Sequence, residues 1–168
     1  MSQQTREHYM LEAIKAAKEA ELEGGVAIGA VIVEESTGKV IAHGGSTANH
    51  TDDPTAHAEV NCIREAAQKL KTNNLNDYTI YTTLESCHMC LSAAAWARIP
   101  RIFFGAYHKD VDSSLIDVKG KFLDEEEAKR MNLRDDTSMV AKGGILEKEC
   151  LQLLDSYNKQ HKPKSEEV

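Results

Sequence analysis

Two short segments of the sequence combine residue types that bind metal ions and move protons. The first is His-Ala-Glu at 57–59, and the second is Cys-His-Met-Cys at 87–90. A Cys-x-x-Cys pair that enters a helix directs both sulfurs towards one point, and the helix N-terminus favours the thiolate that binds zinc. One imidazole and two thiolates leave the fourth position of tetrahedral zinc open. We therefore expect one Zn²⁺ per chain on His57, Cys87 and Cys90, with a bound water or hydroxide.

Glu59 lies two residues after the expected histidine ligand. Two thiolates cancel the formal charge of Zn²⁺, so the ion is a milder Lewis acid than one held by three histidines, and a positioned base is needed. We expect Glu59 to take a proton from the zinc-bound water, so that hydroxide attacks an amidine-like ring carbon. Glu59 then delivers protons to the ring nitrogen and to the departing amine. The expected products are a carbonyl compound and ammonia.

Other interpretations of these residues stay open at this point. One is a buried thiol pair with a capping histidine, and another is a structural zinc site that His88 or Cys62 completes. Glu59 alone is also compatible with a helix-start carboxylate, which the helix dipole favours. Cys62 and Cys150 are interpreted as small buried hydrophobic residues.

Both segments lie where the sequence predicts that a helix begins. Apolar residues at helical spacing predict helices over 5–22, from near His57 to 70, over 89–98 and over 146–157. β-Branched and aromatic runs predict strands over 27–35, 39–45, 78–83 and 101–105, the first two forming a hairpin. The segment 106–143 is ambiguous: it contains the apolar group SLIDV (114–118) and an acidic stretch (124–133) compatible with a solvated helix.

These elements predict an α/β fold in one domain over residues 1–168. The length fits one domain and is short for two. Strands joined through helices favour a three-layer α/β/α architecture, and the hairpin makes its central sheet of about five strands mixed. Residues from about 159 to 168 contain a cluster of lysines and are expected to form a flexible tail.

Charge and composition argue against several classes of protein. Twenty basic and 27 acidic residues give a formal charge of -7, and such a field repels polyanions such as long nucleic acids. No apolar run approaches the roughly 20 residues that span a membrane. The first residues do not resemble a secretory signal, so a cytoplasmic location with reduced thiols is expected.

Three segments resemble a known family. DPTAHAE (53–59), LESCHMC (84–90) and WARIPRIFFG (96–105) are similar to the cytidine deaminase-like superfamily, in the branch with guanine deaminases, fungal cytosine deaminases and tRNA adenosine deaminases. Its signature joins His-x-Glu to Pro-Cys-x-x-Cys. By this resemblance His57, Cys87 and Cys90 match the metal ligands and Glu59 matches the proton shuttle. The resemblance also implies a homodimer or a higher assembly.

The sequence departs from the family pattern at three positions. Ser86 stands where a proline is usual, Ala27 replaces the proline of VPxGA, and Ser46 stands where an asparagine orients the base. Serine is shorter and lacks the paired donor and acceptor of an amide. Asn49 takes that role only if the loop is shifted. The substrate contacts that we expect from the resemblance are Ala58, through its backbone N–H, Ser46, Asn49, Ser86, Tyr107, His108 and Asp110.

The resemblance implies a hydrolase of cyclic amidine C–N bonds in purine or pyrimidine metabolism. Because the charge disfavours RNA, the expected substrate is a free nucleobase or nucleoside of the guanine or cytosine type. Deamination of the tRNA wobble adenosine to inosine is the alternative, since SLIDV and GGILEKECLQLL (143–154) look like the tRNA enzymes. A second alternative is a deaminase-like binding module without catalysis, which the departures at Ser46 and Ser86 favour.

Overall fold

The computed structural model describes residues 2–111 and 139–161. Its helices are α1 (Gln3–Leu22), α2 (Ala48–Thr51), α3 (Ala58–Leu70), α4 (His88–Trp96) and α5 (Glu147–His161). Its strands are β1 (Val26–Glu34), β2 (Val40–Ser46), β3 (Tyr78–Leu84), β4 (Arg101–Ala106) and β5 (Val140–Lys142), and a 3₁₀ turn covers His108–Asp110. Within these ranges, none of the helices has the length and apolar character needed to cross a membrane.

The strands form one mixed sheet in the order β2-β1-β3-β4-β5. The strand β1 runs antiparallel to both β2 and β3, whereas β3, β4 and β5 run parallel to one another. Parallel neighbours need a crossover connection, and α4 provides the one between β3 and β4. The sheet confirms the prediction of a mixed sheet of about five strands.

Alternate residues of the central strands face opposite sides of the sheet, and a helical layer covers each side. Val31 of β1 and Tyr81 of β3 pack in one core with α1 and α5. Their neighbours Ile32 and Ile80 pack in a second core with α3 and α4. Since side chains alternate along a strand, burial of both faces explains the nearly continuous apolar runs in the sequence. The described residues thus form the predicted three layers.

The helices α3 and α4 begin at the residues that the sequence analysis singled out. The residue that precedes the first turn is His57 in α3 and Cys87 in α4, and each has an extended backbone without a side-chain capping hydrogen bond. Neither side chain therefore caps its own helix. Gly44 of β2 lets α3 approach closely, since a Cβ there would lie 2.2 Å from the carbonyl oxygen of Ala58.

Some elements differ from the predictions. The predicted loop 46–53 contains the short helix α2, and the ambiguous segment ends in the strand β5. The helix α5 continues through His161, so residues 159–161 are helical and do not belong to a flexible tail. The groups at 114–118 and 124–133 lie outside the described residues, as do residues 162–168 of the expected tail.

Candidate metal centre and active site

His57, Cys87 and Cys90 meet at one point between the starts of α3 and α4. The Nδ1 atom of His57 lies 3.6 Å from each of the two Sγ atoms, which are 3.6 Å from each other. Ideal tetrahedral zinc, with Zn–S of about 2.3 Å and Zn–N of about 2.0 Å, places such atoms about 3.5–3.8 Å apart. The three side chains therefore fit a tetrahedral zinc ion, with one position left for a ligand that is not one of these residues.

The alternatives of a closed zinc site and a capping histidine are not supported. In the part of the chain that the structure describes, these three residues form the only metal-binding group of His, Cys, Asp and Glu side chains. Cys62 is buried in the core between α3 and the sheet, where its Sγ lies 3.7 Å from the carbonyl oxygen of Ala30. His88 is also not a member of the group.

The two cysteines differ in their ionisation when no metal is bound. The hydrogen bond with Cys90, assisted by His57, lowers the pKa of Cys87 to about 4 against the opposing effect of burial. The same hydrogen bond and burial raise the pKa of Cys90. When no metal is bound, these opposite shifts favour the thiolate at Cys87 and the thiol at Cys90. A metal that binds both sulfurs displaces the proton of Cys90.

Glu59 lies in the first turn of α3, with only 4% of its surface exposed. Its Oε2 atom is 3.4 Å from Sγ of Cys90, and its Oε1 atom accepts a hydrogen bond of 2.7 Å from the hydroxyl of Ser86. Burial raises the pKa of Glu59, and the hydrogen bond from Ser86 opposes this rise. A buried carboxyl beside a metal centre has the position that a proton shuttle requires.

The two residues considered for the role of the family's asparagine have different surroundings. Ser46 is buried at the end of β2, whereas Asn49 is exposed in α2. Burial raises the pKa of Tyr157 in α5, and the side chain of Asn49 opposes this rise, so Asn49 lies near α5. Ser46 is the more buried of the two candidate residues. The backbone of Ala58, another expected contact, opens α3 between His57 and Glu59.

The expected contacts after β4 lie in and next to the 3₁₀ turn. Tyr107 is half-buried and packs edge-on against Phe104, and Asp110 is exposed. His108 is held by Glu85, whose carboxylate accepts hydrogen bonds from its backbone N–H and from its ring. Glu85 lies two residues before the zinc ligand Cys87, so this contact joins the turn to the metal loop.

Sequence reasoning missed two residues that shape the site, Glu85 and Asn61. The side-chain amide of Asn61 donates to the carbonyl oxygens of Gly45 and Ala56 and to the hydroxyl of Thr47, and so fixes the loop before α3. A polar side chain on the helix that carries His57 was the available signal for Asn61. For Glu85 the signal was a carboxylate two residues before the first cysteine of the Cys-x-x-Cys segment.

The arrangement has the parts of a hydrolytic site. His57, Cys87 and Cys90 would hold the zinc ion, which would supply the Lewis acidity that activates water at neutral pH. The Oε2 atom of Glu59 faces these ligands, where a carboxyl group is able to accept or donate a proton. The burial of Glu59 strengthens its electrostatic interactions, because water screens them little there.

A sheet covered by helices, with a three-ligand zinc site and a buried glutamate, defines the class of zinc-dependent hydrolases. Residues 3–106 match the family described as the cytidine and deoxycytidylate deaminase zinc-binding region. The chain belongs to this family, and it is a zinc-dependent hydrolytic deaminase. The resemblance noted from the sequence and the prediction of an enzyme are thereby confirmed.

Several relatives are similar over different parts of the chain. The tRNA-specific adenosine deaminase of Bacillus subtilis (strain 168) is 35% identical over 158 residues, 94% of this chain and 91% of that protein. The guanine deaminase of the same strain is 45% identical over 86 residues, 51% of this chain and 54% of that protein. A solved structure from studies of A-to-I editing by tRNA:A34 deaminases at the wobble position has a TM-score of 0.72 and 33% identity, covering 88% of this chain and 99% of that one.

Proposed function

We propose that the protein deaminates an adenosine in the anticodon of a transfer RNA to inosine and releases ammonia. The observation that carries this proposal is similarity along nearly the whole chain to proteins named tRNA-specific adenosine deaminases. The net charge had favoured a free base or nucleoside as the substrate, so this proposal takes what was the alternative as its main candidate. A net charge of -7 describes the whole chain and does not determine the charge around the site.

The geometry supports hydrolysis at an amidine carbon. In this proposal Glu59 moves protons to the ring nitrogen and to the leaving amine from a fixed position beside the metal ligands. The segment after β4, held through His108 and Glu85, contacts the substrate, as do Ser46 and the backbone of Ala58. The substrate role of these residues is part of the proposal.

Deamination of free guanine is the second candidate. It is favoured by the higher identity, 45%, to a guanine deaminase over 86 residues, or 51% of this chain. The two candidates share the same zinc chemistry. They differ in whether the substrate must be presented within an RNA loop.

One assay separates the two candidates. The zinc-loaded protein is incubated at fixed salt with an anticodon stem-loop that has adenosine at the wobble position and, separately, with guanine, cytosine and their nucleosides. Inosine in the stem-loop without ammonia from the free compounds supports the first candidate. Ammonia from guanine with an unchanged stem-loop overturns it and supports the second. The variant Glu59→Ala controls for contaminating deaminases in both arms.

The homodimer implied by the family resemblance is also part of the proposal. Light scattering coupled to gel filtration tests it directly. A mass of one chain at assay concentration would contradict it.

A further inference from the structure

We propose that Ser86 is a positioning residue of the deaminase site, whose hydroxyl anchors Oε1 of Glu59 and keeps Oε2 turned towards the metal ligands. This inference rests on the deaminase chemistry and does not depend on which substrate is used. It gives a role to a position where the family pattern has a proline, which has no hydroxyl to donate.

The surroundings of Ser86 place its hydroxyl group against the carboxyl group of Glu59. Ser86 and Glu59 are each only 4% exposed, and their Oγ and Oε1 atoms are 2.7 Å apart. A buried carboxylate needs hydrogen-bond donors, and a hydrogen bond to a charged group is stronger than one between neutral groups. The other oxygen of Glu59 lies 3.4 Å from Sγ of Cys90. The two carboxylate oxygens therefore have different partners, one in the segment before α4 and one in the metal centre.

An anchor of this kind matters because a glutamate side chain has several rotatable bonds. Without the hydroxyl, the carboxylate can leave the orientation in which Oε2 faces the metal ligands. A displacement of about 1 Å in a reacting group costs on the order of 10²-fold in rate. The position of Ser86 directly before Cys87 also means that the loop that supplies a metal ligand orients the shuttle.

The first test compares Ser86→Ala, which removes the hydroxyl, with Ser86→Thr, which retains it. We expect Ser86→Ala to lower kcat by about 10–100-fold on the anticodon stem-loop, or on whichever free base of the panel is turned over. We expect KM to change less than about threefold and zinc to remain at one per chain, since a lost transition-state contact leaves substrate binding intact. Ser86→Thr restores most of kcat. The matched control Ser92→Ala, in α4, leaves both constants unchanged.

The second test needs no substrate and no metal. In the chelated protein, we expect Ser86→Ala to lower Tm by roughly 2–6 °C, the effect of losing a buried hydrogen bond. In the background of Glu59→Ala, where the acceptor is absent, the same substitution lowers Tm by much less.

Each outcome decides the proposal. Equal Tm losses in the two backgrounds would show that the hydroxyl does not act through Glu59, and a rise in KM with unchanged kcat would make Ser86 a substrate contact. Either result overturns the proposal. If no compound of the panel is turned over, the proposed function fails while the Tm comparison still decides the role of Ser86.

Discussion

One carboxylate oxygen of Glu85 accepts two hydrogen bonds from His108, at 3.1 Å from its backbone nitrogen and at 2.6 Å from its ring Nδ1. The backbone N–H of Glu85 in turn donates to the carbonyl oxygen of Ala106, at 2.9 Å. These contacts fasten the segment after β4 to the segment between β3 and α4. The second of these segments continues into Cys87, so these hydrogen bonds link the expected substrate-contacting turn to the metal loop.

We expect Glu85→Ala to weaken substrate binding without loss of the metal. Removal of the carboxylate releases the turn at His108, and a hydrogen bond to a charged group contributes about 1.5–3 kcal/mol. If about 1.4 kcal/mol of this stabilisation is lost from the free energy of substrate binding, KM rises by roughly tenfold. Steady-state kinetics and metal analysis measure both quantities. An unchanged KM would contradict the substrate role of the turn, and loss of zinc would show that Glu85 supports the metal loop instead.

Glu59→Gln is expected to abolish turnover and to leave zinc in place. Glutamine has nearly the same shape and still accepts the hydrogen bond from Ser86, but it cannot exchange a proton at neutral pH. General acid–base groups contribute about 10²–10⁴-fold, so kcat falls by at least 10²-fold. The control Glu65→Gln changes a half-buried carboxylate of the same helix that lies outside the metal centre, and it retains activity. A variant at Glu59 with undiminished kcat would refute its role as the shuttle.

Replacement of a metal ligand should remove both the metal and the stability that the metal provides. We expect Cys90→Ser to bind far less zinc than the wild type, and its Tm should no longer fall when a chelator is added. The matched control Cys62→Ala changes a buried thiol of α3 outside the metal centre, so it keeps one zinc per chain. Loss of zinc from Cys62→Ala would instead support a closed zinc site in which Cys62 is the fourth ligand.

Glu35 is expected to make stability depend on pH at the sheet end where β3 and β4 begin. Burial raises the pKa of Glu35, but hydrogen bonds from Arg101 and Thr79 outweigh burial and leave the pKa below its usual value. A carboxyl with a lowered folded pKa stabilises the protein above its unfolded pKa of about 4.3, and this contribution disappears as the pH falls through the folded value. Glu35→Gln should therefore lower Tm at neutral pH.

Thermal unfolding at several pH values tests this expectation. The Tm difference between the wild type and Glu35→Gln should shrink below about pH 4, because the carboxyl then becomes neutral in the wild type as well. The control Glu19→Gln replaces an exposed carboxylate of α1 and should show little difference at any pH. A difference for Glu35→Gln that grows on acidification would contradict the assigned direction of its pKa.

The sequence predicted the main features of the fold because local patterns determine them. The spacing of Val60 and Ile63 predicted α3, and the start of that helix placed His57 and Glu59 at its first turn. The strand β5 carries no such signal, since the three residues Val140–Lys142 are too few for a periodic pattern. The helix α2 was missed for a similar reason, since it has only four residues. Lys159 was assigned to a tail from its charge, although the helix that begins at Glu147 includes it.

Residue types and their spacing predicted the metal ligands, whereas the hydrogen bond that orients Glu59 could not be predicted from the sequence. Residue type and a helix start suffice to nominate His57 and Cys87. The hydrogen bond between Ser86 and Glu59 joins residues 27 positions apart, and no local pattern reports such a pairing. The substrate could not be derived from net charge, because a sum over the whole chain is insensitive to where the charges lie.

The central claim is that one imidazole and two thiolates hold a zinc ion with a position left open beside Glu59. X-ray absorption at the zinc edge of the purified protein measures this most directly, together with the zinc content. We expect one zinc per chain, with two sulfur atoms at about 2.3 Å and two nitrogen or oxygen atoms at about 2.0 Å, of which only one belongs to a histidine. Absence of zinc, a third sulfur or a second histidine in the coordination sphere would contradict the account.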